Sequence, residues 1–365
     1  MAQIRVEALD KSFGTFHAVK AASFTVEDGQ FLCLLGPSGC GKTTTLRMIA
    51  GLELPTAGTI WLGGEEVTMN RASERDIAFV FQLFALYPHM NVRRNIGFPL
   101  KCEGIGAAEI DRRVVEAARI LRISHLLDRP VSGLAGGDRQ RVALGRAIVR
   151  KPKCFLMDEP LGALDTEMRE AMIRELRALH DRLCATTVYV THDQLEAMAM
   201  ADTIAVMNNG VVEQVASPRD IYDRPASLFV ADFIGSPPMN FLPFRDSLAT
   251  GAQSIRLGEG DVAIPAAREM LAESDLVLGV RPEHVRFTDG GMVRGEVYGA
   301  EYLGTTQIVT VTTRYGALKA RSPASMRFRT GESVGLDFRP DTLSIFDKAS
   351  GRAIRTALHE GGAHG

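Results

Sequence analysis

The stretch Gly36-Pro37-Ser38-Gly39-Cys40-Gly41-Lys42-Thr43 has the composition and spacing to hold a polyphosphate. Its glycines let successive backbone N–H groups converge on phosphate oxygens, and a helix opening at Lys42 adds partial positive charge at the same place. In such a loop the lysine reaches the β- and γ-phosphates and the hydroxyl after it goes to Mg²⁺, so Lys42 and Thr43 take these places, with Thr44 beside them.

A second set of groups completes this chemistry. Asp158-Glu159-Pro160 follows the apolar run Cys154–Met157. An aspartate at a strand end can hold Mg²⁺, and the carboxylate after it can orient or activate an attacking water. Adjacent carboxylates within a strand point to opposite faces, but at its end the chain turns and both can face one cleft. His192, in Thr191-His192-Asp193, ends another apolar run. Ligands of open α/β sheets bind beyond the carboxyl ends of the strands, where this histidine can donate to a γ-phosphate.

Positioning these groups requires strands that end at the site and helices that leave it. Phe31–Leu35, Lys153–Met157 and Thr187–Val190 are short unbroken apolar runs, the pattern of strands buried on both faces. Lys42 to Ala50 has helical spacing and stops at Gly51, and 107–127, 139–150 and 166–184 read as further helices. Ile4–Leu9 and Ser23–Glu27 alternate as half-buried strands, and 82–99 reads as a turn-rich stretch with exposed aromatics. This alternation of strands and helices predicts a mostly parallel sheet with covering helices. The character changes at Gly235-Ser236-Pro237-Pro238. Beyond it, short alternating runs at Leu276–Val280, Met292–Tyr298, Gln307–Thr312 and Ser333–Phe338 predict a small all-β, barrel-like unit of the oligosaccharide-binding type. The expected division is therefore 1–235, with a helical subdomain at about 83–150, then 236–347, then a polar, poorly ordered tail at 348–365.

The 42 basic and 44 acidic residues leave a net charge of −2, which gives no basic footprint for nucleic acid. The cysteines are scattered and lack metal-ligand spacing, fitting a reducing cytoplasm. No signal peptide and no membrane-spanning apolar run is visible.

Taken in order, the phosphate loop, Gln82, Leu134-Ala135-Gly136-Gly137-Asp138-Arg139-Gln140, Cys154–Pro160, Leu161-Gly162-Ala163-Leu164-Asp165 and Thr191-His192-Asp193 resemble an ABC transporter ATPase subunit. Phe81–Met90, Phe233–Phe241 and Gly279–Val285 resemble, more closely, the ATPases of carbohydrate importers such as the maltose and trehalose systems. The resemblance implies an α/β phosphate-loop ATPase domain that uses ATP and Mg²⁺ on the cytoplasmic face of the membrane. Phe13 would stack on adenine, although the family more often has Tyr or Trp there. Gln82 would sense Mg²⁺ and the γ-phosphate, Asp158 would be the Mg²⁺-side acid, Glu159 the catalytic carboxylate, His192 the switch histidine, and Asp165 a dimer-interface residue. Phe84–Tyr87 would line a groove for a short helix of an integral-membrane permease subunit, itself served by a solute-binding protein.

In this family two ATPase domains meet head-to-tail, and the Leu-Ser-Gly-Gly-Gln segment of each completes the phosphate site of the other. Here Gly136 and Gly137 are kept, while Ala135 and Asp138 replace the serine and glutamine. The lost hydroxyl is worth roughly 1.5–3 kcal/mol against a charged group, and Asp138 brings negative charge near a polyanion. Slowed hydrolysis is one expectation and a tolerated variation the other. A partner subunit with an intact segment would make the pair heterodimeric, and the solute could be a polyamine, iron, sulfate or glycerol phosphate instead of a sugar. A soluble ATP-dependent switch of the same superfamily is the remaining alternative, against which the near-neutral charge and the β unit both weigh.

Overall fold

The computed structural model describes residues 2–162, 164–258 and 260–360, in two compact units, Met1–Pro218 and Arg219–Gly365. In the first unit β1 (Ile4–Phe13), β2 (Phe16–Val26), β3 (Phe31–Leu35), α1 (Lys42–Ala50), β4 (Ala57–Leu62), β5 (Glu65–Glu66) and β6 (Ile77–Val80) come first. The helices α2 (Val92–Cys102), α3 (Ala107–Ile120) and α4 (Gly136–Ile148) follow, inserted between β6 and β7 (Cys154–Asp158). Then come α5 (Thr166–Leu183), β8 (Thr186–Thr191), α6 (Gln194–Met200), β9 (Thr203–Asn208) and β10 (Val211–Ala216).

Six strands form the central sheet in the order β10-β9-β3-β8-β7-β6, parallel except for β10. Every residue of β3, β7 and β8 is buried, which is why these strands read as unbroken apolar runs. The antiparallel sheet β2-β1-β4-β5 buries only alternate positions of β1 at its start. One apolar cluster joins the layers, taking Ile4 and Val6 from β1, Leu34 from β3, Leu46 and Ile49 from α1, and Val188 from β8.

The stretch 82–99 is a correction. Asn91 caps α2, its Oδ1 accepting from Arg94 N at 2.9 Å, and Val92, Ile96 and Leu100 are fully buried at helical spacing. Gly97 and Pro99 read as breakers, yet Pro99 sits in the last turn, and a Cβ on Gly97 would approach Ile110 of α3 to 2.9 Å. Phe84, expected to be exposed, is 8% exposed.

The second unit has a sheet of Asn240–Leu248, Leu271–Val280 and Ser344–Asp347, and another of five strands between Val285 and Phe338. Both close on one core that includes Leu242, Leu278, Val309, Leu336 and Ile345. Compactness divides the chain at Pro218, earlier than the composition change at Gly235. The fully buried Arg281 donates to Tyr222 O at 2.8 Å, Ala231 O at 3.1 Å and Ile234 O, tying the preceding helices to the β unit. The end of the chain also differs from the expected loose tail. Through residue 360 it is fastened by the buried Ile354, by Ala353 N to Ala226 O at 2.9 Å, and by Arg352 on Glu269 at 2.9 Å. Residues 361–365 lie outside the described residues.

Candidate functional site

Four neighbouring parallel strands, β3, β8, β7 and β6, end on the same edge of the central sheet. Gly36 follows β3, His192 follows β8, Asp158 closes β7, and Gln82 comes just after β6. Residues far apart in sequence thereby reach one place.

The loop Gly36–Thr43 needs its glycines for space as well as for backbone freedom. A Cβ on Gly36 would meet Met207 O at 2.2 Å, and Gly41 has φ 107° with Ala18 O at 2.6 Å from its would-be Cβ. Pro37, Ser38 and Gly39 form the turn between them, and Gly41 is the N-cap of α1. Lys42 is buried and folds over its own loop, donating to Gly36 O and Pro37 O at 2.8 Å each. The Cys40 thiol is 3.8 Å from that ammonium, and burial pushes its pKa up despite the lysine. Thr44 follows on α1.

Thr43 Oγ1 donates to Asp158 Oδ1 at 2.8 Å. Burial raises the Asp158 carboxyl above its ordinary value, with the Thr43 hydrogen bond and the charges of Arg47 and Lys42 opposing and that of Glu159 adding to the rise. Glu159 has φ 43°, the left-handed turn that lets consecutive carboxylates share a cleft. Its Oε2 accepts from Gln82 Nε2 at 3.3 Å and lies 3.4 Å from His192 Nδ1. The structure thus brings together Lys42, Thr43, Gln82, Asp158, Glu159 and His192.

The other expected residues are on separate elements. Phe13 closes the β1–β2 hairpin opposite Phe16, 47% exposed, with Lys11 Nζ 4.8 Å from its ring centroid. Ala135 is the N-cap of α4 and, being alanine, gives no side-chain cap; Gly136 and Gly137 form its first turn. A Cβ on Gly137 would meet Met168 Sδ at 2.6 Å, so this glycine also lets α4 approach α5. Asp138 pairs with Arg141 at 3.3 Å, and Arg141 pairs with Glu175 at 3.0 Å. Asp165 caps α5, accepting from Met168 N at 2.9 Å.

Near Gln82 the chain is braced by residues that the sequence reading passed over. Arg146 of α4 donates to Ala85 O at 2.6 Å and Phe84 O at 2.8 Å and lies over the Tyr87 ring. Asn95 of α2 holds Tyr87 through both its N–H and its carbonyl. Beside them is a cavity of about 580 Å³ lined by residues that include His89, Arg93, Phe98, Lys101 and Ile110. An Arg and a buried Asn at helical spacing were the available signals, but neither type marks such a role alone.

The chain is similar to known proteins along most of its length. The family model described as ABC transporter matches residues 19–162, that of the MalK OB fold domain 235–285, and that of the TOBE domain 278–346. The chain is 47% identical to the trehalose/maltose import ATP-binding protein MalK of Thermococcus litoralis, over 97% of this chain and 100% of the relative. It is 53% identical to the sn-glycerol-3-phosphate import ATP-binding protein UgpC 3 of Rhizobium etli, over 78% of each chain. Among solved structures, the ATP-binding cassette MJ0796 in a dimeric post-hydrolysis state bound to ADP and Pi matches with a TM-score of 0.53 and 29% identity, over 59% of this chain and 99% of that one. A phosphate loop, two adjacent carboxylates and a histidine on one sheet edge, followed in sequence by an OB fold and a TOBE region, place the chain in the ABC transporter family, among its ATP-binding subunits.

Proposed function

We propose that the chain binds and hydrolyses ATP to power an importer for a sugar, polyol or related solute, working as a dimer docked on membrane subunits at the cytoplasmic face. The convergence of Gln82 and His192 on Oε2 of Glu159, next to the Thr43–Asp158 pair, is the observation that carries the hydrolytic part. The import class rests on the trehalose/maltose and glycerol-3-phosphate relatives.

Lys42 leaves its loop carbonyls for the β- and γ-phosphates when nucleotide enters, while the loop N–H groups take the phosphate oxygens. Phe13 offers its exposed ring to adenine. Thr43, Asp158 and Gln82 supply the hard oxygen donors that suit Mg²⁺, which keeps few protein ligands. When bound, that ion would neutralise charge on the transferred phosphoryl group. Glu159 accepts a proton as water oxygen bonds to the γ-phosphorus. The bond from that phosphorus to the bridging oxygen breaks, leaving ADP and phosphate. His192 donates to the γ-phosphate oxygens and Gln82 orients Glu159.

Ala135, Gly136 and Gly137 serve the phosphate site of the second subunit across an interface that includes Asp165. The cavity beside Tyr87 receives the permease, since Asn95 donates both to Met90 O on the cavity wall and to Tyr87 O, in the segment that follows Gln82. No helix among the described residues is long and apolar enough to cross a membrane. Glu159→Gln is expected to bind ATP with unchanged affinity and to lose turnover. Turnover near the wild-type rate would refute the assignment.

A further inference from the structure

The helix after the catalytic strand carries an arginine that neither the sequence reading nor the proposed chemistry uses. Arg169, in the first turn of α5, sits where two loops of the site come together. Its Nη2 donates to Leu164 O at 3.1 Å, in the segment that leads into Asp165. Its Nη1 donates to Asp193 Oδ2 at 3.4 Å, and its Nε faces Glu196 Oε1 at 3.8 Å. One planar guanidinium thus meets the segment before α5 and two acids from the segment after β8, an arrangement a fork of five donors can satisfy and an ammonium cannot.

The acids it meets fix the backbone on both sides of His192. Glu196 is 3% exposed, and its Oε2 accepts from Tyr189 at 2.8 Å and Thr191 at 2.7 Å. Thr191 in turn accepts from Asp193 N at 3.0 Å. Burial raises the Glu196 carboxyl, and the Thr191 and Tyr189 hydroxyls and the Arg169 charge oppose that rise. Thr191 and Asp193 are the neighbours of His192, so hydrogen bonds hold the residues on both sides of the histidine, and the 3.8 Å ion contact of Arg169 with Glu196 joins them, while the histidine's own ring, 55% exposed, reaches toward Glu159.

We infer that Arg169 is a positioning residue for hydrolysis, setting His192 against Glu159 and joining that histidine to the segment that carries Asp165. This rests on the assignment of Glu159 and His192 to the hydrolytic site. A nucleotide seated on the Gly36–Thr43 loop does not need Arg169, whereas the placement of the histidine does. Misplacing a catalytic group by about 1 Å can cost as much as 10²-fold in rate.

The test is steady-state phosphate release by the full-length chain, together with its thermal midpoint and its affinity for ATP. Arg169→Met is expected to lower kcat about 10-fold or more with KM and ATP affinity unchanged, and Arg169→Lys to recover part of the loss. In a His192→Ala background, Arg169→Met should lower kcat less than about 2-fold further, because residues that act through one another are not additive. An unchanged kcat in Arg169→Met, a loss that follows a fall in the thermal midpoint, or the same fold-loss with and without His192 would each overturn the inference. Full turnover by Glu159→Gln, measured alongside, would instead remove the site assignment on which it rests.

Discussion

The His192 Nδ1 atom stands 3.4 Å from Glu159 Oε2, although the two residues leave different strands. Strand β7 pairs with β8 so that Asp158 is opposite Val190, and Glu159 N then donates to Val190 O at 3.1 Å. The register of two adjacent parallel strands therefore sets the distance between a carboxylate and an imidazole. Replacing His192 by Ala removes a donor to a charged group, worth roughly 1.5–3 kcal/mol. A fall in kcat of about 10- to 100-fold is expected, with ATP affinity preserved. Steady-state ATPase kinetics and nucleotide titration check both halves.

Asp158 should trade stability for function. Burial raises its carboxyl, so ionising it is harder in the fold than in the unfolded chain. The group's contribution to stability is then greatest at acid pH, declines as pH rises from the ordinary carboxylate value through the raised one, and is at its most unfavourable at neutrality. Asp158→Asn keeps an oxygen to accept from Thr43 and removes the charge. The nucleotide-free variant should melt higher than the parent at pH 7, with the difference closing in acid, and it should lose turnover. Thermal melts across pH, paired with ATPase assays, test this.

The two unusual residues of the Leu134–Gln140 segment are separable. Ala135 is a helix N-cap without a capping side chain, and serine at such a position stabilises by about 0.5–2 kcal/mol. Asp138 is already matched by Arg141, which the pair shares with Glu175. Ala135→Ser should therefore raise both the thermal midpoint and the ATPase rate, and Asp138→Gln should change the rate less than about 5-fold, as expected for a partly exposed ion pair worth at most about 1 kcal/mol. Equal gains from both would contradict this division.

Arg75 makes a structural prediction. It is 1% exposed and donates to Met48 O and Ile49 O at 2.8 Å, Thr68 O at 2.9 Å and Asn70 O at 3.0 Å. These include carbonyls at the end of α1, the helix that begins at the phosphate loop. Arg75→Met would leave buried acceptors unpaired, at about 1–3 kcal/mol each, so a destabilisation of at least about 2 kcal/mol is expected in denaturant unfolding of the first unit.

Much of the chemistry was legible without coordinates because it depends on short segments. The loop glycines, the carboxylates after an apolar run and the stop at Gly51 are each local statements, decided by backbone freedom and by burial on both faces of a strand. Helix α2 was not legible in the same way. Gly97 and Pro99 are breakers by local propensity, and only the approach of α3 shows why a glycine is needed there. The inward turn of Phe84 likewise depends on Arg146, a residue far along the chain.

The sequence by itself determined which groups this protein has for holding and cleaving a polyphosphate, and that they end strands and open helices. Tertiary structure decided which of them meet. Strand order and register brought Gln82 and His192 onto one oxygen of Glu159, and the left-handed turn at Glu159 brought that carboxylate beside Asp158. It also decided what three arginines do, Arg75 and Arg281 buried and Arg169 half-buried. Arg75, Arg169 and Arg281 read as surface charges in a sequence, since a guanidinium is rarely buried without partners. Their partners here are chiefly backbone carbonyls and acids distant in sequence, and only the folded chain brings those within reach.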